Sequence, residues 1–364
     1  NNSCISCHGG SGGLSLTSYD NIMNGGNSGP AIIPFDHENS LLWIKVASGN
    51  MPPNGSDFTA EQVELIADWI DEGAVSEAEY QMELNLTFLG EQNMIPTEDD
   101  EKFPDMIVDE EGNIHFVWYS QHGSGRNLIY TRTNDGGSTF SSPVQVNQIS
   151  GNIIAYTQSG PIIRIYNGIL YVVYMDNRSG TTAIYMNKSE DNGNSWGEDM
   201  LISDQMYMQM YPEMEIDSQG TLHLLYYSYA SNNHFQYVRY ATMEAGDIAF
   251  SPSTPVGLVD EYQEPCDCCQ PDLFITDTDD LYIAYRNNVG DIRDTFLVTK
   301  MQGETNFSDK IQVSYHSDFI DHCPSSGPTL AIKNDKIAAS YYVTQETDVF
   351  ISQADLNNLA FSNE

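Results

Sequence analysis

Basic residues are scarce in this sequence. Its 364 residues include 14 Lys and Arg against 52 Asp and Glu, which gives a formal net charge of -38 at pH 7. A surface this acidic repels phosphate backbones and anionic lipids, which argues against nucleic acid and anionic membranes as partners. The acidic residues are spread along the chain, a pattern typical of a solvated surface rather than of an acidic tail.

Long apolar runs are also missing. No stretch approaches the roughly 18 to 20 apolar residues that span a bilayer, so we expect no transmembrane segment. The sequence opens at Asn1 on polar residues without a signal peptide, and we therefore expect a mature or trimmed export product. It contains no Walker loop, dinucleotide fingerprint, HExxH helix or Gly-x-Ser-x-Gly elbow, so none of the sites that those motifs build is predicted.

Cysteine is rare, and its six copies fall into an N-terminal pair and a C-terminal group: Cys4 and Cys7, then Cys266, Cys268, Cys269 and Cys323. The N-terminal pair lies in Cys4-Ile5-Ser6-Cys7-His8, the CxxCH pattern of covalent haem attachment. Two thiols at this spacing add to the two haem vinyl groups, and the adjacent imidazole takes one axial iron position. A thioredoxin-like pair would need a preceding strand, and zinc would need two further ligands, of which only His37 is within reach.

The second axial ligand should come from downstream. Gly49-Asn50-Met51-Pro52-Pro53 offers a thioether on a proline-stiffened loop, with Met23 as the alternative. Met and His ligation raises the reduction potential of haem iron and suits electron transfer. The sequence therefore predicts that His8 and Met51 hold the iron.

A helix follows this loop. Thr59 and Gln62 form a capping box, and Gly73 supplies a stop. Four apolar residues recur on one face: Val63, Ile66, Ala67 and Ile70. Together with CxxCHG and the Met-Pro-Pro loop, this helix resembles the small single-haem c-type cytochromes over residues 1–78. The resemblance implies a small all-α cytochrome c domain, haem c, an electron-transfer partner protein and a periplasmic or extracellular location.

From about residue 82 the sequence repeats a unit of alternating apolar residues. Five segments share one strand pattern: residues 114–119, 169–175, 222–227, 281–286 and 337–342. Each follows a proline by about ten residues: Pro104, Pro161, Pro212, Pro271 and Pro328. Proline fits where a strand opens, because no ladder donor is needed there. This spacing predicts an all-β propeller over residues 79–364, with five blades counted and six possible, and with residues 83–89 completing the last blade.

Two turns carry a further signature. Residues 133–140 and 189–196 both fit S/T-x-D-x-G-x-S/T-aromatic and resemble the Asp-box repeats of sialidase-like propellers. We expect Asp135 and Asp191 to hydrogen-bond the turn backbone and the aromatic residue to pack between blades, so neither Asp is predicted to be catalytic. The acidic turns near Asp109, Asp191 and Asp277 do not complete a calcium loop, and they leave calcium as an open cofactor.

The C-terminal cysteines map onto equivalent loops. Cys266 lies five residues before Pro271, Cys323 lies five before Pro328, and His322 precedes Cys323. We therefore expect Cys266, Cys268, Cys269, His322 and Cys323 at the channel mouth. They form either disulfides, as is common in exported proteins, or a metal site, for which soft ligands favour copper. Zinc and redox-active thiols stay open.

Arginine is also concentrated at the predicted mouth. Four of the seven arginines should lie there: Arg126, Arg178, Arg286 and Arg293. In so acidic a protein this predicts a small anionic or glycan ligand. Inter-blade salt bridges with Asp176, Asp291 or Asp294 are the alternative.

Three functions follow. The fusion of a haem domain to a Cys- and His-lined mouth favours a redox enzyme that oxidises a substrate in the propeller and passes electrons to haem. A non-enzymatic scaffold with an electron-transfer haem is the first alternative, and a sialidase-like glycoside hydrolase is the second. The sialidase pattern places Arg two residues before a blade-opening proline, but this sequence departs from it at each position: Lys102, Ser159, Met210, Cys269 and Ser326.

Overall fold

The structure is a computed structural model that describes most of the chain in two compact units, Asn1–Glu91 and Gln92–Glu364. The described residues are 8, 11–51, 58–71, 73–74, 76, 99–123, 125–203, 208–229, 236–256, 264–266, 268–322, 324–333 and 335–361. The predicted boundary between residues 78 and 79 falls in a gap of this description and stays a prediction. In the described part no helix is long and apolar enough to cross a membrane.

Helices make up the regular structure described in the first unit. A 3-10 helix at Ser11–Gly13 precedes three α-helices: α1 at Tyr19–Met23, α2 at Leu41–Ala47 and α3 at Ala60–Asp71. The predicted capping box is confirmed, because Gln62 N donates to Thr59 Oγ1 (3.3 Å) and Thr59 N to Gln62 Oε1 (3.1 Å). Gly73 ends α3 with a φ of 98°, a conformation that favours glycine.

A small apolar core joins these helices. Ile32, Ile70 and Ala74 are buried at its centre. Partly buried residues from all three α-helices pack around them: Ile22, Met23, Leu42, Trp43, Ile66 and Trp69. The predicted apolar face of α3 thus points into this core. An all-α class for the whole domain stays a prediction.

The described residues of the second unit form five antiparallel sheets, and the strands of each sheet run in chain order from the inner to the outer strand. The first has β1 Asp100–Val108, β2 Ile114–His122, β3 Gly125–Thr133 and β4 Val144–Gln145. The second has β5 Ile153–Ile154, β6 Ile162–Tyr166, β7 Ile169–Asp176, β8 Ala183–Ser189 and β9 Met200–Leu201. The third has β10 Met208–Ile216, β11 Leu222–Tyr229, β12 Gln236–Met243 and β13 Thr254–Pro255. The fourth has β14 Glu264–Pro265, β15 Asp272–Ile275, β16 Leu281–Asn288, β17 Thr295–Lys300 and β18 Ile311–Gln312. The fifth has β19 Thr329–Lys333, β20 Lys336–Val343 and β21 Asp348–Asp355.

The inner strands of these sheets contact one another in chain order: β1 with β6, β6 with β10, β10 with β15 and β15 with β19. This arrangement is that of a β-propeller. All five predicted strand segments are confirmed, because each lies within the second main strand of its sheet. Residues 83–89, predicted to complete the last blade, lie outside the described residues, so the five-blade ring stays a prediction.

The prolines do not all open strands as predicted. Pro161, Pro271 and Pro328 directly precede β6, β15 and β19, but Pro104 and Pro212 lie inside β1 and β10. Both of these strands shift register around the proline, between Lys102 and Asp105 in one case and between Met210 and Glu213 in the other. A bulge leaves the position without a ladder donor, which is the second place where a sheet tolerates proline.

The two Asp-box-like turns have the predicted backbone bonds. Asp135 Oδ1 accepts from Thr139 N (2.9 Å), and Gly137 N donates to Thr133 Oγ1 (2.9 Å). Residues 189–196 repeat this pattern, because Asp191 Oδ1 accepts from Ser195 N (2.8 Å). In the first turn, the hydrogen bonds from the Thr139 hydroxyl and N–H lower the pKa of Asp135 to about 2. These aspartates therefore hold turns, as expected.

An aromatic residue from the second turn packs onto the preceding sheet, and an aromatic residue between β17 and β18 does the same. The Trp196 ring lies edge-on to Tyr130 at 5.3 Å, and Phe307 takes the same position on Tyr240 at 5.1 Å. Tyr130 in turn bonds the buried His115 Nδ1 through its hydroxyl (2.7 Å). The predicted packing between blades is therefore found for Trp196, whereas Phe140, the aromatic residue of the first turn, packs within its own sheet.

A buried carboxylate, Asp199, ties the second sheet to the link from the first. Its oxygens accept from Gln148 N (3.0 Å), Tyr174 Oη (2.7 Å) and Arg178 Nη1 (2.7 Å). Burial by itself would raise the pKa of Asp199, but the hydrogen bonds from Tyr174, Gln148 and Arg178 outweigh it and lower the pKa. The ionised carboxylate is therefore the form that stabilises this junction.

We expect Asp199→Ala to lower the free energy of unfolding by about 3 to 5 kcal/mol, because it leaves the Arg178 guanidinium without one of its two carboxylate partners. Because the folded pKa is lowered, the contribution is present above the unfolded pKa of about 3.9 and is lost as pH falls through the folded value. Urea denaturation measures the change, with Glu198→Ala as the control at the adjacent exposed acid. Equal losses in both variants would contradict the assignment.

Candidate functional site

The predicted haem ligands are described in part. Cys4 and Cys7 lie outside the described residues, whereas His8 and Met51 are described. His8 O accepts from Leu16 N (2.8 Å), which fixes the backbone beside the imidazole. His8 Nδ1 is buried and has no hydrogen-bond partner in the described part of the chain.

Met51 lies just beyond α2. Its N–H donates to Lys45 O (3.0 Å), and the residue is 36% exposed. The alternative ligand, Met23, instead packs against the core of the first unit. An imidazole and an accessible thioether are the donor set that haem iron takes in cytochromes c, so these residues fit haem c. When bound, haem c supplies a one-electron iron couple.

Three of the propeller cysteines form one buried cluster, as predicted. Their Sγ atoms all lie within 4.8 Å of one another, with Cys266 and Cys269 in contact at 2.7 Å and Cys268 at 3.9 Å from Cys266. Cys268 is disulfide-bonded, whereas Cys266 and Cys269 are free thiols. Disulfide bonding thus holds for one member, and a dithiol remains beside it.

The described residues do not place the other two predicted members, His322 and Cys323, in this cluster. Cys323 lies outside them, and the exposed His322 bonds Asp321 Oδ1 (3.0 Å). A disulfide sulfur is a poorer metal ligand than a thiolate, so the described cluster offers two thiols to a metal. Copper therefore stays a prediction, as does calcium at the acidic turns.

Arg293 lies against the dithiol. Its Nη1 is 3.3 Å from Cys266 Sγ, and its Nε donates to Ile320 O (3.0 Å). A hydrogen bond from the Cys269 thiol, aided by Arg293, lowers the pKa of Cys266, while the same contact raises the pKa of Cys269. One sulfur of the pair is thus set up as the thiolate and the other as its donor.

The four predicted ligand-binding arginines are engaged within the protein. Arg178 pairs with Asp176 (2.6 Å) and Asp199, and the fully buried Arg286 pairs with Asp318 (3.4 Å). Arg126 Nε donates to Gly151 O (3.2 Å) and Arg293 lies 3.8 Å from Asp291. Arg178 with Asp176 and Arg293 with Asp291 are pairs within one loop, so these two pairs are not the inter-blade salt bridges that the sequence left open. A role in substrate binding stays a prediction.

A second polar cluster, on the inner strands, was missed from the sequence. Arg164 on β6 joins Asp105 on β1 (3.1 Å) to Glu215 on β10 (2.7 Å). Glu213 on β10 and Asp272 on β15 extend the cluster, since their charges act on one another and on Arg164. One cation thus lies among four carboxyl groups from neighbouring sheets.

A sequence signal for this cluster does exist. An acidic residue directly follows the proline in three of the five repeats, as Asp105, Glu213 and Asp272. Asp105 Oδ2 accepts from Ile163 N (2.8 Å) and Asp272 Oδ2 from Leu330 N (2.5 Å), each in the next sheet. The position after the proline therefore serves to join sheets, a role that the spacing of one repeat does not reveal.

A cavity of about 290 Å³ opens beside this cluster. Its walls come from the inner ends of the first four sheets and include Phe103, Gln158, Ser159, Arg164, Glu213 and Gln270. Gly160 lets two walls meet, because a Cβ there would lie 2.7 Å from Phe103 Cβ and O. The candidate site of the propeller is thus this cavity together with the acid and arginine cluster at its floor.

Two family models match the chain in sequence. Residues 4–55 match the model described as Planctomycete cytochrome C, and residues 71–242 match the model of a BNR repeat-containing family member. The first match spans the CxxCH segment and Met51, and the second spans the first two sheets and most of the third. The chain is thus similar to a cytochrome c domain followed by a BNR-type propeller. None of the curated proteins matches it.

Solved structures resemble the chain weakly. A PL25 ulvan lyase has a TM-score of 0.49 at 12% identity, over 70% of this chain and 65% of the lyase, so the chain spans just under two thirds of that protein. A Penicillium chrysogenum α-L-arabinanase has a TM-score of 0.43 at 11% identity, over 71% and 94% of the two chains. A Fusarium graminearum α-L-arabinofuranosidase has a TM-score of 0.43 at 12% identity, over 72% and 96%.

We expect iodoacetamide to spare Cys266 and Cys269 in the folded protein, because both side chains are fully buried. Unfolding without reductant should make both of these thiols reactive, whereas Cys268 should react only after reduction. Peptide mass mapping distinguishes the three residues. A mapped cross-link between Cys266 and Cys269 in freshly purified protein would contradict the dithiol assignment.

Proposed function

We propose that this protein is an exported haem c electron-transfer protein whose first unit carries the haem and whose propeller binds the substrate or partner. Cys4 and Cys7 attach the haem covalently, and His8 and Met51 hold the iron. The observation that carries the proposal is the cytochrome match over residues 4–55, which contains all four residues. Haem attachment by this motif takes place outside the cytoplasm, so we place the protein in the periplasm or the extracellular space.

The structure supports the ligand pair through its backbone. The bond from Met51 N to Lys45 O keeps the thioether next to the end of α2, and the bond from Leu16 N to His8 O fixes the imidazole segment. Both side chains thus project from held backbone, which limits the reorganisation that electron transfer demands. The acidic surface favours a cationic electron partner protein, because complementary charge speeds encounter.

We expect Met51→Leu to convert a low-spin c-type spectrum into a high-spin or differently ligated one and to lower the reduction potential, because leucine keeps the volume but removes the thioether. Met23→Leu is the matched control, and its spectrum should equal that of the unmodified protein. Visible spectra and redox titration of the full chain measure both variants. An unchanged Met51→Leu spectrum would move the axial ligand elsewhere.

A second candidate function adds a redox centre in the propeller. The cluster of Cys266, Cys268 and Cys269 with Arg293 supports it, because a buried dithiol beside a cation suits either thiol redox chemistry or a soft metal such as copper. A catalyst that passes electrons to haem needs such a centre, whereas a scaffold or a glycoside hydrolase does not.

Metal content per chain, on protein isolated without chelators, separates these functions. One iron with stoichiometric copper that is lost in Cys269→Ser supports the two-centre oxidoreductase. If the chain holds one iron and no copper, and its thiols are unchanged after mild oxidation, the propeller has no redox centre. Ser326→Ala, at the position equivalent to Cys269 in the fifth repeat, is the control and should leave the metal content unchanged.

A further inference from the structure

A buried hydroxyl beside the cavity has no partner among the residues that the structure describes. Ser159 is 3% exposed and lines the cavity, and its Oγ makes no hydrogen bond within that part of the chain. Its backbone is already fixed by reciprocal bonds with Tyr156 (3.0 and 2.9 Å), so the hydroxyl is not needed to shape the turn. Leaving such a group unpaired costs about 1 to 3 kcal/mol. A ligand hydroxyl at this place removes the cost.

Glu213 also differs from its counterparts. Asp105 and Asp272, at the same position after a proline, accept a backbone N–H from the next sheet. Glu213 instead accepts from the Gln270 side chain and lines the cavity. Burial, with the charges of Asp272 and Glu215, raises the pKa of Glu213 to about 8 against the opposing effect of Arg164. At neutral pH it is a neutral acid with a proton to donate.

Arg164, the cation in this site, is already paired and so does not favour an anionic ligand. Arg164 already pairs with Asp105 and Glu215, and Asp272 adds a further carboxyl group nearby. An incoming carboxylate would meet these charges without a free guanidinium to pair with. An uncharged ligand meets no such penalty, and it is also compatible with the net charge of -38.

The cavity has the walls that a sugar ring requires. Phe103 lines one wall, while Gln158, Ser159 and Glu213 bring polar side chains to a small volume. Phe103 has a φ of 55° and Tyr211, before the other bulged proline, has a φ of 54°, so this conformation belongs to the bulge that places Phe103 at the cavity wall. A volume of about 290 Å³ lies at the lower end of the range for ligand sites and suits a single ring.

We propose that this cavity binds a neutral polyhydroxylated ligand the size of one sugar residue, with Ser159 and Glu213 hydrogen-bonding to its hydroxyl groups. The site is separate from the haem ligands, so it stands whether or not the proposed function holds. The Phe103 ring packs against the apolar face of the sugar, and the Gln270 amide holds the Glu213 carboxyl in place. No bond is made or broken in this proposal.

Binding should depend on pH through Glu213. The groups that act on it are Asp272 on β15, Glu215 on β10 and Arg164 on β6. Above pH 8 the carboxyl loses the proton that it donates, so affinity should fall by about tenfold between pH 6 and pH 9. The Glu213→Gln variant keeps a donor at every pH, and its affinity should be the same at both.

The experiment is a titration of the full chain with D-glucose, D-galactose and L-arabinose, and with D-glucuronate as the charged counterpart, followed by calorimetry and saturation-transfer NMR. We expect at least one neutral sugar to bind at millimolar concentration at pH 6 and to bind better than glucuronate. Ser159→Ala should weaken that binding by about tenfold, since one hydrogen bond is lost. Ser326→Ala, at the same position of the fifth repeat, should leave it unchanged.

Folding of the variants is measured separately. Unfolded glutamate ionises near pH 4.3 while folded Glu213 keeps its proton, so stability conferred at low pH is lost as pH rises from about 4.3 towards 8. A cooperative thermal melt shows that Glu213→Gln is folded. Its stability should lack this dependence on pH. If no neutral sugar binds, if glucuronate binds best, or if Ser159→Ala and Ser326→Ala behave alike, the proposal is wrong.

Discussion

Carboxylates that reach from one sheet to the backbone of the next determine how the propeller is built. Asp105 and Asp272 each accept an N–H from the inner strand of the following sheet. This contact brings charged groups onto the inner strands, where they must find partners because burying an unpaired charge is costly. Arg164 is the partner that joins two carboxylates across three sheets. The polar floor of the cavity is therefore a consequence of how the sheets are joined.

The same constraint explains why Glu213 is unusual. A longer side chain at this position does not make the backbone contact that its shorter counterparts make, and it meets Gln270 and the cavity instead. Burial, together with the neighbouring carboxyl groups, raises the pKa of Glu213, so it keeps its proton more readily. The structure thus turns a residue that joins sheets elsewhere into a hydrogen-bond donor facing a small cavity. This is how one repeat position supplies both architecture and a candidate ligand site.

The turns that lead to the outer strands are stabilised differently, by hydrogen bonds within the turn itself. In the Asp-box-like turns, Asp135 and Asp191 satisfy N–H groups within their own eight residues, and Trp196 carries the contact to the preceding sheet. The first unit is simpler still, with α3 capped by Thr59 and Gln62 and packed through Ile70. The two ends of the propeller therefore differ. The Asp-box-like turns lie at one end, and the charged cluster, the cysteines and the cavity lie at the other.

The sequence by itself determined whatever depends on residues that are close in the chain. The α3 capping box and the Asp-box-like turns close their hydrogen bonds within a few residues, and the five second strands follow from the alternation of apolar residues along the chain. Only the tertiary structure decided the partners of Arg178 and Arg286, the dithiol of Cys266 and Cys269 beside a bonded Cys268, and the protonated Glu213. Most of these depend on groups from other strands and sheets that lie tens of residues away, and burial sets their charge state. Spacing along one repeat carries no information about which of those groups will meet.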